Sequence, residues 1–194
     1  MDLKKFNELS ETPKPVKFLV WQDWAEFQTY LEFVSSYFKN RGVEKPLVVE
    51  IGILHNEQRL FYKEILNADY IGMDIEQNNE PDILGDSGDP ETLKKLKALL
   101  GSRSIDLLFI DGNHTYEGVK ADYGFYAPLT RHLVAFHDVY SEIEARALGV
   151  TKFWNEIVRS GEEMTAVFHR FNTKVSIKDQ RFMNEGIGVI IKEL

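Results

Sequence analysis

From Pro46 onward, short apolar runs alternate with amphipathic stretches, and this alternation constrains the fold more than any other feature of the chain. The runs LVVEIG, YIGMDI and IDLLFIDG are separated by the stretches EQRLFYKEIL and ETLKKLKALL. This order is typical of strand-helix-strand units in a parallel sheet. The runs are too continuously apolar to face water, so helices are expected on both faces of the sheet. We therefore predict a doubly wound α/β fold.

Local signals place several of the remaining elements. Asp89-Pro90-Glu91 combines a capping residue, a proline at the first helical position and an early acid, which predicts a helix start. Asp23 and Glu26 predict the start of an earlier helix, ahead of the sheet. Residues 165–171 and 186–191 are predicted as the strands that close the sheet.

No linker or repeat divides the 194 residues, and we expect one structural domain. Residues 1–45 are predicted to form an N-terminal arm and a helix that packs on the core, with the arm covering about the first 20 residues. Residues 46–194 are expected to carry the sheet. A partner subunit that covers the N-terminal helix would make a homo-oligomer, an arrangement that the sequence leaves open.

Composition excludes several classes of function. The chain has no cysteine, so disulfides and thiolate metal sites are impossible. Its 31 acidic and 23 basic residues give a net charge of -8, which disfavours binding to nucleic acid. The polar N-terminus has neither the apolar run of a signal peptide nor that of a membrane span. We expect a cytoplasmic protein without a nucleic-acid or membrane partner.

Polar residues follow three successive strands, where ligands bind in an open α/β sheet. Gly52 ends the first strand, and a glycine there permits a tight turn and the close approach of a ligand. Asp74 follows about 20 residues later, a spacing typical of an acid that accepts a hydrogen bond from a ribose hydroxyl. Asp86 and Ser87 form a third polar turn. These positions predict a nucleoside-containing cofactor, although Asp74 alone is equally explained as a solvated acid.

Two further strands end in acid and histidine. Residues 105–110 lead to Asp111 and, three residues on, to His114, while residues 133–136 lead to His137 and Asp138. Two carboxylates converging from separate strands suit a hard divalent cation, Mg²⁺ above all, with Ca²⁺ or Mn²⁺ possible. His114 is the candidate general base. The alternative is that Asp111 and His114 bond to each other and cap the next helix. His137 is a third ligand, a partner of the ligands or a packing residue.

These residues together resemble the class I S-adenosylmethionine-dependent methyltransferases. The most specific piece is IDGNHTYEGVKADYGFYAPL followed by FHDV and GVTKFWNEI, and the resemblance covers about residues 46–158. It is strongest to small-molecule O-methyltransferases, including macrolide-sugar methyltransferases and cephalosporin hydroxylase-like proteins. The resemblance implies a mostly parallel, seven-stranded Rossmann-like sheet with an N-terminal helical extension. It also implies S-adenosylmethionine as cofactor and a small-molecule hydroxyl group as methyl acceptor.

The resemblance also implies roles for the cofactor residues, matched position by position. Gly52 and its turn would hold the methionine part of the cofactor, and Asp74 would hold the ribose. Asp86 and Ser87 would border the adenine, and Glu50 would help to shape the pocket.

In metal-dependent members of the group, the aspartate at the position of Asp111 and an acidic pair at positions 137 and 138 bind the cation. By this match Asp111, His137 and Asp138 form the metal set, Asp111 also borders the cofactor, and His114 is the base. Position 137 is histidine here, which is a poorer ligand than carboxylate for Mg²⁺.

Two other positions depart from the group's pattern. The turn after Gly52 reads ILHNEQ where small residues are usual, which would narrow the cofactor site. Residues 130–132 read Thr-Arg-His where a Gly-Gly turn is usual, a change expected to affect only loop geometry.

Two rival functions follow from the same residues. His114, His137 and Asp138 would make a facial triad for iron, so a metal-dependent oxygenase, or a metal hydrolase, is one alternative. A non-catalytic binding module that has lost the cofactor turn is the other.

Overall fold

Seven strands form a single sheet in the computed structural model, which describes residues 1–11, 24–140, 148–161, 164–168 and 186–192. The helices are α1 (Leu3–Glu11), α2 (Trp24–Asn40), α3 (Gln58–Leu66), α4 (Pro90–Leu100), α5 (Tyr116–Tyr126) and α6 (Leu148–Ser160). The strands are β1 (Leu47–Ile51), β2 (Asp69–Asp74), β3 (Ile83–Leu84), β4 (Ile105–Ile110), β5 (Thr130–Phe136), β6 (Met164–Phe168) and β7 (Ile187–Ile191). Short 3₁₀ helices follow β2 (Gln77–Asn79) and α5 (Ala127–Leu129).

The strand order is β3-β2-β1-β4-β5-β7-β6. Strands β1 to β5 pair in parallel, whereas β7 runs antiparallel to both β5 and β6. The chain adds β2 and β3 on one side of β1 and then crosses to add β4 and β5 on the other. The strand order therefore reverses between β1 and β4, the place where ligands bind in open α/β sheets. The predicted mostly parallel, seven-stranded Rossmann-like sheet is confirmed.

Helices cover both faces of this sheet, as the apolar strands predict. One face packs against α1, α2 and α3 in a cluster rich in aromatic side chains. The other face packs against α4, α5 and α6. Successive residues of β1 serve the two faces in turn, since Val48 belongs to the first cluster and Val49 to the second.

Helix α4 begins as its sequence predicts. Asp89 is the capping residue, its side chain accepts a hydrogen bond of 2.9 Å from the Glu91 amide, and Pro90 is the first helical residue. Helix α2 begins at Trp24, so the predicted capping residue Asp23 lies outside the described residues.

The N-terminal arm differs from its prediction in the part that the structure describes. Residues 3–11 form α1, and Phe6 is only 3% exposed. The Phe6 ring contacts the rings of Trp24 and Phe61, at centroid distances of 5.9 and 5.4 Å. Burial of this one aromatic ring is enough to hold α1 on the sheet's helical layer, a contact that the polar sequence around Phe6 does not reveal.

The described strands refine the sequence prediction at three places. Strand β3, at whose end the sequence places Asp86 and Ser87, has only two residues, Ile83 and Leu84. Strand β6 covers residues 164–168, and residues 169–171 of its predicted range lie outside the described residues. Thr130, Arg131 and His132 begin β5 instead of forming a loop, and His132 is buried against the rings of Tyr37 and Phe38.

Among the described residues, no helix has the length and apolar character needed to cross a membrane.

Candidate active site

The candidate site lies at the carboxyl ends of β1, β2, β4 and β5, where backbone pairing continues past the strands. The amide of Gly52 donates to the carbonyl of Met73 in β2, at 2.9 Å. The Asp111 amide donates to β1, also at 2.9 Å, and the His137 amide donates to β4 at 3.1 Å. These bonds fix the residues that follow the strands as firmly as residues inside them.

A pocket of about 540 Å³ opens at this edge, within the usual range for small-molecule sites. Eight of the nine residues that the sequence singles out line it: Gly52, Asp74, Asp86, Ser87, Asp111, His114, His137 and Asp138. Side chains from five separate chain segments thus share one cavity.

Glu50 is the ninth residue, and it does not line the pocket. It is 1% exposed and turns toward the face covered by α1 to α3, where the Tyr70 hydroxyl donates a 2.6 Å hydrogen bond to its Oε2. Burial raises the pKa of Glu50 to about 8, against the lowering effect of the Tyr70 hydrogen bond. Glu50 therefore packs on the side of β1 that points away from the cavity, and it does not contact the cavity.

Gly52 is required by geometry. Its φ is +80°, and a Cβ atom at this position would collide with the backbone of Asp111 and Gly112. The absence of a side chain allows β1 and β4 to end side by side.

Asp74 anchors the turn that follows Gly52. Its Oδ2 accepts hydrogen bonds from the amides of Ile53 and Leu54, at 3.0 and 3.2 Å, and its Oδ1 accepts one from Glu76 at 2.8 Å. Leu54 has a φ of +43°, a strained value for a residue with a branched side chain. With these three hydrogen bonds, Asp74 stabilises a turn that lacks the small residues usual in the methyltransferase group. Each carboxylate oxygen has two lone pairs, so Asp74 retains capacity for a ligand hydroxyl.

Asp111, His114, Asp138 and His137 form a closed ring of alternating acid and imidazole groups. His114 Nε2 lies 3.3 Å from Asp111 Oδ1, and its Nδ1 lies 2.9 Å from Asp138 Oδ2. His137 Nδ1 lies 3.2 Å from Asp111 Oδ1 and 3.1 Å from Asp138 Oδ1. Each histidine therefore touches both carboxylates.

The two carboxylates control the protonation of His114. Hydrogen bonds to Asp111 and then to Asp138 raise the pKa of His114 to about 10, against the opposing effect of burial. In this arrangement His114 is an imidazolium at neutral pH, a cation between two anions. His114 can act as a base only if another positive charge binds to the carboxylates of Asp111 and Asp138.

The donor set fits a divalent cation. Asp111, His114 and Asp138 each offer one ligand atom, and these atoms lie within 4.8 Å of one another. Carboxylate oxygens are the ligands that Mg²⁺ and Mn²⁺ prefer, and imidazole is acceptable to Mn²⁺ and Fe²⁺. These three residues differ from the predicted metal ligands, because they include His114 where the sequence match gives His137.

Other contacts keep the ring in place. Asp138 has a φ of +61°, a backbone strain typical of functional positions, and its carbonyl accepts a 3.1 Å hydrogen bond from Thr151 in α6. Helix α5 is capped by Thr115, whose Oγ1 accepts a hydrogen bond from the Gly118 amide at 3.0 Å. Because Thr115 does the capping, the side chains of Asp111 and His114 remain in the site.

Sequence reasoning missed Asp122, a buried acid of α5 that lies directly behind the pocket. A polar residue in an amphipathic helix is usually exposed, so only its packing reveals it.

Comparison with known proteins agrees with this geometry. Residues 69–139 match the model of a family described as a methyltransferase domain. The match covers 71 of the chain's 194 residues. The matched segment includes Asp74 and the whole ring of Asp111, His114, His137 and Asp138.

Solved structures of methyltransferases share the fold of this chain. A Staphylococcus aureus protein designated a caffeoyl-CoA O-methyltransferase matches with a TM-score of 0.60 and 15% identity, over 98% of this chain and 90% of its own. MycE methyltransferase of the mycinamycin pathway, in complex with Mg and S-adenosylhomocysteine (SAH), matches with a TM-score of 0.60 and 18% identity, over 99% of this chain. This chain spans 54% of MycE. An O-methyltransferase of Bacillus cereus in complex with SAH matches with a TM-score of 0.55 and 14% identity, over 98% of this chain and 90% of its own.

A curated relative matches over a shorter stretch. It is the uncharacterized protein y4gI of Sinorhizobium fredii, 41% identical over 56 residues, which are 28% of this chain and 6% of that protein. The predicted class I methyltransferase fold is thus confirmed, and residues 69–139 are similar to a methyltransferase domain.

The pKa of Glu50 generates a prediction about stability. The folded protein binds a proton at Glu50 up to a pH of about 8, whereas an unfolded glutamate releases it near its usual pKa of about 4.3, so the free energy of unfolding falls as pH rises between these values. Glu50→Gln removes this ionisation and still accepts the Tyr70 hydrogen bond. We expect the variant to gain about 3 to 4 kcal/mol over wild type between pH 5 and pH 8, because each pKa unit of difference corresponds to about 1.4 kcal/mol.

Urea unfolding at pH 5, 6, 7 and 8 measures the difference. Glu44→Gln, which changes an exposed acid just before β1, is the control and should follow wild type. Parallel pH profiles for Glu50→Gln and wild type would contradict the burial of an ionisable Glu50.

Proposed function

We propose that this chain transfers the methyl group of S-adenosylmethionine to a hydroxyl oxygen of a small molecule, with a divalent cation at Asp111 and Asp138 and with His114 as base. One observation carries the proposal: the predicted cofactor residues other than Glu50 line the same pocket as the Asp-His ring. A nucleoside site and a proton-transfer site in one cavity suit group transfer from a nucleoside cofactor.

The cofactor part of the proposal rests on the first three strand ends. Gly52 leaves room for the methionine part, Asp74 accepts from the ribose, and Asp86 with Ser87 borders the adenine. S-adenosylmethionine, when bound, supplies a methyl group on a positively charged sulfur. The neighbours MycE and the Bacillus cereus enzyme, which carry SAH, support this choice of cofactor.

The metal part rests on the chemistry of the ring. Asp111 and Asp138 would hold the cation, which when bound supplies positive charge that favours the deprotonated acceptor oxygen. His137 would hold both carboxylates in position through Nδ1, which lies close to each. The Mg present with MycE supports Mg²⁺ as the ion.

His114 would take the proton of the acceptor hydroxyl. Loss of that proton would leave the acceptor oxygen with the lone pair that accepts the methyl group, which the cofactor would supply when bound, with the sulfur keeping the electrons of its bond to that group. The carboxylates of Asp111 and Asp138 raise the pKa of His114. A cation bound to these carboxylates would remove this effect. His114 would then titrate nearer its usual value, where an imidazole is an effective base.

The acceptor is proposed to be a small molecule with a hydroxyl group. MycE, crystallised with mycinamycin VI, supports a compact organic acceptor over a macromolecule. The net charge of -8 further disfavours nucleic acid.

The role of His114 is tested by substitution. His114→Ala should bind SAH as wild type does, because Gly52, Asp74 and Asp86 lie at the ends of other strands, and should lose about 10²- to 10⁴-fold in turnover. Calorimetry with SAH gives the affinity, and methyl transfer from labelled S-adenosylmethionine to a panel of sugar, phenol and polyketide hydroxyls gives the turnover. Glu117→Ala, an exposed residue three positions on, is the control. Unchanged turnover in His114→Ala would remove it as base, and a wild type that binds neither SAH nor S-adenosylmethionine at millimolar concentration would favour the binding module.

The metal site is tested by titration of the purified, chelator-treated protein with Mn²⁺, followed by its electron paramagnetic resonance. Asp111→Asn and Asp138→Asn should each weaken Mn²⁺ binding at least about tenfold, because each removes a charged ligand. EDTA should abolish turnover, and Mg²⁺ should restore it. Full activity in EDTA contradicts the metal role, and stoichiometric iron in the protein as isolated favours the oxygenase.

A further inference from the structure

The first turn of α6 contacts both halves of the Asp-His ring. Gly149 lies against the segment that follows β4, which carries His114, and Thr151 lies against the segment that follows β5, which carries Asp138. Neither Gly149 nor Thr151 lines the pocket, and the proposed chemistry uses neither. One turn of helix therefore joins two chain segments whose side chains meet in the site.

Gly149 is explained by a close approach of two backbones. A Cβ atom at this position would lie 2.2 Å from the Tyr116 amide nitrogen, 2.3 Å from the His114 carbonyl oxygen and 2.4 Å from the Thr115 carbonyl carbon. All three are backbone atoms, which cannot rotate aside as the end of a side chain can. Glycine is less favourable than alanine in a helix, so its value here lies in the space that it leaves.

Thr151 holds the other segment by a hydrogen bond. Its Oγ1 donates to the Asp138 carbonyl at 3.1 Å, and the amide of the next residue, Val139, donates to the Gly186 carbonyl at 3.3 Å. Asp138 has a left-handed backbone, and such strain persists only where the surrounding contacts maintain it. The bond from Thr151 is one of these contacts.

The rest of α6 is anchored on the sheet and on α5. The buried ring of Trp154 packs on Gly188 of β7, where a Cβ atom would lie 2.7 Å from it. The ring of Phe153 contacts the rings of Tyr116 and Phe136, at centroid distances of 6.0 and 6.2 Å. Close packing of this kind resists displacement, so the first turn of α6 is a firm support for the Asp-His ring.

The two contacts together set the distance between His114 and Asp138. His114 Nδ1 lies 2.9 Å from Asp138 Oδ2, which links the two segments that α6 contacts. A side chain in place of Gly149 would force one of its neighbours to move. If residues 114–116 moved, His114 would shift relative to Asp138. If α6 moved, Thr151 would be drawn away from the Asp138 carbonyl.

We infer that Gly149 and Thr151 are positioning residues, which hold His114 and Asp138 at the spacing that the metal site requires. The inference rests on the proposed function, in which the Asp-His ring takes a divalent cation. Residues that support metal ligands hold them to within about 0.5 Å, and loss of such support usually costs about 10- to 100-fold in metal affinity. Gly149 supplies the space and Thr151 supplies the hydrogen bond.

Thr151 is tested by titration of the chelator-treated protein with Mn²⁺, followed by electron paramagnetic resonance. Thr151→Val removes the hydroxyl group and should weaken Mn²⁺ binding about tenfold, whereas Thr151→Ser keeps the hydroxyl group and should restore the affinity. Thr29→Val is the matched control. It removes a similar bond, from Thr29 Oγ1 to the Ala25 carbonyl, at an exposed position of α2, and should bind Mn²⁺ as wild type does.

Gly149 is tested by the same titration. Gly149→Ala should weaken Mn²⁺ binding at least about tenfold. Gly124→Ala is the matched control, because Gly124 also lies in a helix, α5, and no described atom outside that helix lies within 4 Å of its Cβ position. It should keep the wild-type affinity for Mn²⁺.

Calorimetry with SAH separates positioning from a general loss of structure. In Gly149→Ala and Thr151→Val the affinity for SAH should stay near that of wild type, because the proposed cofactor residues Gly52 and Asp74 follow other strands. A purely structural role would weaken SAH and Mn²⁺ alike and would lower the melting temperature.

The outcomes separate this inference from the proposed function. Wild-type Mn²⁺ affinity in folded Gly149→Ala or Thr151→Val overturns the role of that residue and leaves the proposed function intact, and so does equal weakening of SAH and Mn²⁺. A wild type that binds no Mn²⁺ overturns the metal part of the proposed function and this inference with it. Thermal melts verify folding. If Gly149→Ala does not fold, the serine and valine variants of Thr151 decide: equal Mn²⁺ affinity in the two overturns the inference.

Discussion

Three backbone hydrogen bonds beyond the strand ends are the constraint on which the site depends. The amides of Gly52, Asp111 and His137 bond to β2, β1 and β4 respectively, so the ladder continues into residues that would otherwise belong to loops. The positions of the side chains at this edge are then set by the sheet's register. For this reason the carboxylates of Asp111, after β4, and Asp138, after β5, both lie about 3 Å from Nδ1 of His137.

The second constraint is charge. Asp111 and Asp138 approach each other in a partly buried site, and two carboxylates so placed need compensating positive charge. In the ring His114 supplies it as an imidazolium, and His137 contributes a ring nitrogen to both acids. The same field that holds a proton on His114 attracts a divalent ion. A proton and a metal ion are therefore alternative ways to neutralise one pair of carboxylates, and this would link the proposed base to the proposed metal site.

The sequence predicts the sheet and most of the site because strand ends are visible as apolar runs followed by polar residues. Glu50 was misread as part of the pocket wall, although alternation along β1 puts it on the face opposite Ile51, which does line the pocket. Asp122 could not be recognised from the sequence, because its burial depends on how α5 packs against the sheet. The double contact of His114 was also hidden, because it joins segments more than 20 residues apart.

Part of the backbone strain in this structure lies at the edge of the sheet that carries the pocket. Asp138 and Leu54 have left-handed backbones there, and both line the pocket. Asn67 and Glu80 have left-handed backbones too, but each of them ends a helix, where this conformation is common. Asp138 and Leu54 end no helix, and the apolar clusters on both faces of the sheet supply the stability that tolerates their strain. Backbone strain of this kind at two residues of one pocket is typical of a site for binding or chemistry.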